Sequence, residues 1–178
     1  WAKTLVDVLR YHAEASPGRV HVHLIDGASG QGITCATLLE AATYVARGLV
    51  SYGLQREDRV AILLPDSPEF FHAFYGVILA GGIPVPLYPP ASIDRIAEYI
   101  HVQAGLLPNV GARCLIAFDR VRPISRILRA ALPGIEVTTV DVLRRAGTRA
   151  PARLPVPSEY ALIQYTSGST GDPKAVAM

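Results

Sequence analysis

The chain reads as an α/β fold, a parallel sheet flanked by helices with a small antiparallel part near residues 20–35. Three observations predict it. The apolar runs at 59–64 and 114–118 have strand length and are continuous rather than alternating, as strands covered on both faces must be. Amphipathic helical stretches with caps and stops alternate with those runs, in the βαβ order that builds parallel sheets. Residues 20–25 alternate apolar with polar and meet a second short run, 33–35, across the glycine-rich turn 26–32, as the two strands of a half-exposed hairpin do.

Taken in order, Thr4 caps a first helix that runs to about residue 15, where Ser16-Pro17-Gly18 ends it. In the strand that follows, His21 and His23 share a face. With no third ligand near them in sequence, an exposed polar face explains them better than a metal site. From 36 to 52, Leu38, Leu39, Ala42, Val45, Ala46, Leu49 and Val50 recur at three- and four-residue spacing, and Gly53 supplies the stop. After the strand at 59–64, Ser67 is the cap of the next helix, Pro68 its first residue, and Glu69 lies where the dipole favours an acid.

That helix, 68–79, carries Phe70, Phe71, Phe74, Tyr75 and Ile78, a spacing read as core, with the wall of an acyl pocket as its alternative. Pro84 and Pro86 cannot donate to a ladder, so the strand after Gly81-Gly82 is short or at an edge. Ser92 caps a helix to about residue 107, which Pro108-Asn109 breaks. Residues 114–118 form a third buried strand, 119–132 a helix and 135–140 a strand. The Pro- and Arg-rich stretch 147–158 is read as a solvated connection, with attraction of a phosphorylated partner as its alternative.

Composition excludes several classes. Half of the 178 residues are hydrophobic and 18% are charged, which a disordered chain does not show. A formal charge of +2, with no basic stripe interleaved with aromatics, gives no reason to expect nucleic acid as a partner. Cys35 and Cys114 form no C-x-x-C pair, so buried free thiols in a reducing cytoplasm are expected. Residues 70–93 lack Asp, Glu, Lys and Arg, yet glycines and prolines interrupt them, whereas a bilayer span needs roughly 20 predominantly apolar residues in one helix. No transmembrane segment is expected. Trp1 opens the chain without a signal-peptide pattern, and Met178 stops it just inside a strand, so the sequence is read as a piece of a longer protein.

The chemistry concentrates near the end. An apolar run to Tyr165 gives way to Thr166-Ser167-Gly168-Ser169-Thr170-Gly171, then Asp172-Pro173-Lys174, then a second apolar run. A strand leads into a turn and out again. Glycines let consecutive backbone N–H groups converge on an oxyanion, hydroxyls add neutral donors, and Lys174 adds a compact positive charge. Phosphate binding follows. The P-loop of kinases is not the match, because Pro173 stands where its second glycine belongs, five residues after Gly168, and Ala175 rather than Ser or Thr follows Lys174.

From Tyr165 to Lys174 the sequence resembles the phosphate-binding loop of the adenylate-forming, AMP-binding superfamily, which includes acyl-CoA synthetases, fatty acyl-AMP ligases, peptide-synthetase adenylation domains and luciferases. Ala175 stands where that family usually has glycine. Val85-Pro86-Leu87-Tyr88-Pro89-Pro90 is more similar to fatty acyl-AMP ligases and long-chain acyl-CoA synthetases than to amino-acid adenylation domains. The resemblance implies that residues 1–178 are the N-terminal portion of an AMP-binding domain that ends just after the phosphate loop, with the C-terminal domain absent.

It further implies ATP-dependent activation of a fatty acid to an acyl-adenylate, with Mg²⁺ screening the phosphates and pyrophosphate leaving. A thiol of coenzyme A or of an acyl carrier protein would then take the acyl group. Thr166, Ser167, Gly168, Ser169, Thr170, Gly171 and Lys174 would bind the nucleotide's phosphates, and no catalytic or metal-ligating residue is assigned within the chain. Without the family's later motifs, the 178-residue piece alone is expected not to make acyl-AMP. A catalytically silent domain that binds a ligand or partner is the alternative.

Overall fold

A computed structural model describes residues 2–26, 29–89, 96–118, 130–146, 160–166 and 174–178. Helix α1 (Leu5–Ala15) starts from Thr4, whose hydroxyl accepts from the Asp7 amide while the Asp7 carboxylate accepts from the Thr4 amide. The strands β1 (Val20–Asp26) and β2 (Ser29–Thr34) pair antiparallel. The hairpin is therefore the expected one, but its connection is shorter: Gly30, Gln31 and Gly32 belong to β2, opposite Ile25, Leu24 and His23. Cys35, assigned by sequence to a strand, is instead the first residue of α2 (Cys35–Ser51), because Thr34 and Thr37 cap each other reciprocally.

Four parallel strands make the main sheet. They are β3 (Arg59–Leu63), β4 (Ile83–Pro86), β5 (Ala112–Ala117) and β6 (Glu136–Thr138), in the order β4-β3-β5-β6. The two central strands supply side chains to both faces. Val60, Ile62, Cys114 and Ile116 point into one apolar cluster, and Ala61, Leu63, Leu115 and Ala117 into another. The first cluster is covered by α2 and by α3 (Pro68–Leu79), the second by α4 (Ile96–Asn109). Burial on both faces is the reason these strands do not alternate.

As expected from its prolines, β4 is an edge strand of its sheet. Ile83 and Leu87 donate to Asp58 and Ile62 on the β3 side, so the intervening Pro84 and Pro86 fall at positions whose amides would face outward. No ladder bond is lost there. Pro108 lies inside α4 rather than ending it at residue 107; the helix stops one residue later, so the missing amide affects its last turn only.

The strand expected at 135–140 is shorter. Thr139 accepts from the Val142 amide and starts a helix, α5 (Val140–Arg145), with Asp141 in its first turn and Arg144 and Arg145 in its last. Those cap and dipole signals outweigh the β-branched composition of the run. The cap expected at Ser92, most of the helix expected at 119–132 and the connection 147–158 lie outside the described residues.

Close helix packing depends on glycine. A Cβ on Gly48 of α2 would overlap the Leu143 carbonyl of α5, and one on Gly76 of α3 would press on the Val45 side chain of α2. Gly53, at φ 82°, turns the chain out of α2 in the left-handed region that glycine adopts without strain. Gly48→Ala should destabilise the protein by about 1–3 kcal/mol through overpacking against backbone that cannot rotate away. Denaturant unfolding of the variant beside the parent measures this, and an unchanged midpoint would contradict the packing.

Candidate functional site

The glycine- and hydroxyl-rich stretch is flanked by β7 (Ile163–Thr166) and β8 (Lys174–Ala177), which pair antiparallel to each other. Thr166 is directly opposite Lys174, and its hydroxyl donates to the Lys174 carbonyl at 3.4 Å. Residues eight apart in sequence thus become neighbours about 5 Å apart across the ladder. Ser167, Gly168, Ser169, Thr170 and Gly171 lie outside the described residues.

Side chains of cross-strand partners share a face, so the Thr166 hydroxyl and the Lys174 ammonium stand on the same side of the hairpin, both exposed. A neutral donor and a positive charge meet where the stretch begins and ends. Ala175 sits in the ladder opposite Tyr165 and is not among the residues of positive φ, so the backbone there accommodates its Cβ.

The other face of β7 holds it to the body. Ile163 is buried in the apolar cluster beneath α4, while Gln164 and Thr166 are exposed. The Tyr165 ring packs on the same cluster, and its hydroxyl donates to the Leu106 carbonyl in the last turn of α4 at 2.6 Å. Burial raises the Tyr165 phenol above its ordinary value, so it remains a donor throughout the neutral range. This bond between segments far apart in sequence was not legible beforehand, since Tyr165 offered only an apolar-run ending.

Among the described residues, three clefts lie elsewhere. One of about 220 Å³ opens beyond the carboxyl ends of β3 and β5, where ligands of parallel sheets bind, and is lined by Leu64, Ser67, Glu69, Phe118 and Asp141. Ser67 precedes α3 as expected, but its side chain makes no capping bond. Glu69 and Asp141 make this cleft unsuited to phosphate.

The second, about 400 Å³, contains Thr37, Glu40, Tyr44, His72 and Arg144. Burial holds the His72 imidazole below its usual value, with Glu69 opposing and Arg144 adding to the shift. The third, about 450 Å³, opens at the start of β5 and β6, over Leu49, Leu54 and Cys114. None of these three clefts brings a hydroxyl and a lysine together as Thr166 and Lys174 are on the hairpin.

The aromatic residues of α3 are half-buried and pack on one another and on the apolar clusters. Phe70 meets Phe71 edge-on at 5.4 Å and stacks on Phe74 at 6.2 Å, and Phe74 meets Tyr75 at 5.7 Å. The Tyr75 hydroxyl shares a 3.2 Å hydrogen bond with His21 Nε2. Among the described residues no group of three or more His, Cys, Asp and Glu could hold a metal ion, and no helix is long and apolar enough to cross a membrane.

Both cysteines are buried and free. Burial pushes the Cys114 thiol up to about 12, with Glu136 adding to the shift and Arg113 opposing it. Because the folded thiol keeps its proton where the unfolded one releases it, its contribution to stability is intact below about pH 9 and declines as pH rises toward 12. Native protein should therefore resist alkylation at Cys114 at pH 9, with full reaction after unfolding. Peptide mass spectrometry reads the outcome, and rapid native modification would contradict this burial.

Comparison with known proteins places these features. The sequence model described as AMP-binding enzyme matches residues 9–178. Gramicidin S synthase 2 of Brevibacillus brevis is 29% identical over 174 residues, 98% of this chain and 4% of its own length. 4-Coumarate–CoA ligase 1 of Solanum tuberosum is 28% identical over 158 residues, 87% of this chain and 29% of its own. The crystal structure of a fatty acyl-adenylate ligase from L. pneumophila, in complex with acyl adenylate and pyrophosphate, superposes with a TM-score of 0.81 at 27% identity, covering 99% of this chain and 30% of the ligase. The chain thus spans less than a third of each of these relatives.

Proposed function

The chain belongs to the AMP-binding enzyme family, and from that premise we propose that its parent protein activates a fatty acid with ATP to an acyl-adenylate and passes the acyl group to a thiol of coenzyme A or an acyl carrier protein. The observation that carries this reading is the pairing of Thr166 with Lys174, which joins the two ends of the glycine- and hydroxyl-rich stretch at a strand pair whose exposed face bears a hydroxyl and an ammonium.

In this reading a carboxylate oxygen attacks the α-phosphorus and pyrophosphate departs. Thr166, Ser167, Gly168, Ser169, Thr170, Gly171 and Lys174 hold the β- and γ-phosphates, so their work is to orient the leaving group in line and to offset its charge. Mg²⁺, when bound with the nucleotide, screens the remaining phosphate charge. Acyl transfer follows when the acceptor thiolate attacks the acyl carbon and AMP leaves.

The fatty substrate draws support from the run Val85-Pro86-Leu87-Tyr88-Pro89-Pro90 and from the likeness to a fatty acyl-adenylate ligase. The relatives also include a peptide synthase and a coumarate ligase, so the test offers their substrate types together. Full-length parent is incubated with ATP, Mg²⁺ and a long-chain fatty acid, 4-coumarate or an amino acid, with and without coenzyme A. Fatty acyl-AMP that accumulates even with coenzyme A present identifies a carrier-protein-dependent ligase, and fatty acyl-CoA a synthetase. Turnover of one of the other acids alone would overturn the fatty substrate, and absence of any adenylate would overturn adenylation in favour of a silent binding domain.

Lys174→Ala should lower kcat/KM for ATP by about ten- to hundredfold, the effect of removing one charge-assisted contact to phosphate. ATP–pyrophosphate exchange by the full-length variant measures it. Unchanged kinetics would separate Lys174 from the phosphates.

A further inference from the structure

Only two side chains of β7 face the body of the protein, Ile163 and Tyr165, while the partner strand β8 is exposed along its whole length. Ile163 is an apolar plug that fixes distance but not direction. Tyr165 adds a directed bond, its hydroxyl donating to the Leu106 carbonyl at 2.6 Å, and it is the residue immediately before Thr166. It is the last described side-chain tie to the body before the phosphate stretch begins.

The acceptor is suited to this use. Leu106 lies in the final turn of α4, where helical carbonyls run short of amide partners, and α4 is itself fixed to the sheet by Ile100 and Leu107. On the same helix the buried Tyr99 hydroxyl and Gln103 carbonyl oxygen have no partner among the described residues, so they provide no tie to the hairpin. Between β7 and α4, the Tyr165 hydroxyl makes the side-chain hydrogen bond seen among the described residues, while β4 lies beside β7 as a further neighbour.

We propose that Tyr165 is a positioning residue for nucleotide binding: its hydroxyl, latched to the Leu106 carbonyl, sets the direction in which β7 presents Thr166, and Lys174 opposite it, to the phosphates of the nucleotide. This rests on the adenylation reading above. The ring alone would hold the strand in place through the apolar cluster. The hydroxyl fixes its rotation, and with it the aim of the exposed face that carries Thr166 and Lys174.

The test is Tyr165→Phe in the full-length protein, with ATP–pyrophosphate exchange and hydrogen–deuterium exchange of residues 160–178 as its two readouts. The KM for ATP should rise about three- to tenfold, the loss of one neutral hydrogen bond, while the KM for the carboxylate stays within about twofold. The melting temperature should hold and deuterium uptake in the hairpin should increase. Unchanged nucleotide KM together with unchanged uptake would overturn the latch. So would a fall in melting temperature with both KM values rising, since that marks a general structural role. Where the parent shows no exchange activity with any carboxylate, adenylation has failed rather than the latch, and hairpin uptake in Tyr165→Phe still decides whether the hydroxyl orients the strand.

Discussion

Burial of β3 and β5 on both faces governs the architecture. Along each strand, successive side chains enter opposite clusters, so neither face can turn to water and helices must cover both. This single requirement sets the layers. On one side α2 packs so closely against α3 at Gly76, and against α5 at Gly48, that neither glycine leaves room for a methyl group. The other holds α4, and on that side the hairpin of β7 and β8 is mounted.

Among the described residues, the hairpin meets that frame through β7, which lies beside β4. Ile163 and Tyr165 reach the cluster beneath α4, and β8 contributes exposed residues only. If the stretch holds a polyphosphate, as proposed above, this arrangement suits it, since tight burial of both strands would oppose ligand entry. The aim of such a segment then rests on directed bonds more than on area. Thr166 with Lys174 closes its ends, and Tyr165 with Leu106 fixes its base.

Much of this was written in local patterns. The helix starts at Thr4 and Pro68, the stop at Gly53 and the edge position of the strand with Pro84 and Pro86 followed from cap chemistry, backbone freedom and missing amides. Errors came where two local signals competed. Residues 135–140 are β-branched and looked like one strand, yet Thr139 with Asp141 begins α5, and Cys35 looked like strand but follows a reciprocal threonine cap. In both places a side chain that satisfies an exposed amide outweighed propensity.

Local sequence already carried the chemistry on offer: hydroxyls, glycines and one lysine between two apolar runs, in a chain that the AMP-binding enzyme model matches, within an alternation of strands and helices that gives a parallel sheet. Those features are local, and local features survive reading one residue at a time. Three-dimensional packing had to supply the rest: that Thr166 faces Lys174 across a ladder, that the aromatic residues of α3 pack on one another, and that the Tyr165 hydroxyl reaches Leu106. Each of these depends on which face of an element turns inward and on what another element presents to it there, and periodicity gives a face without naming its partner.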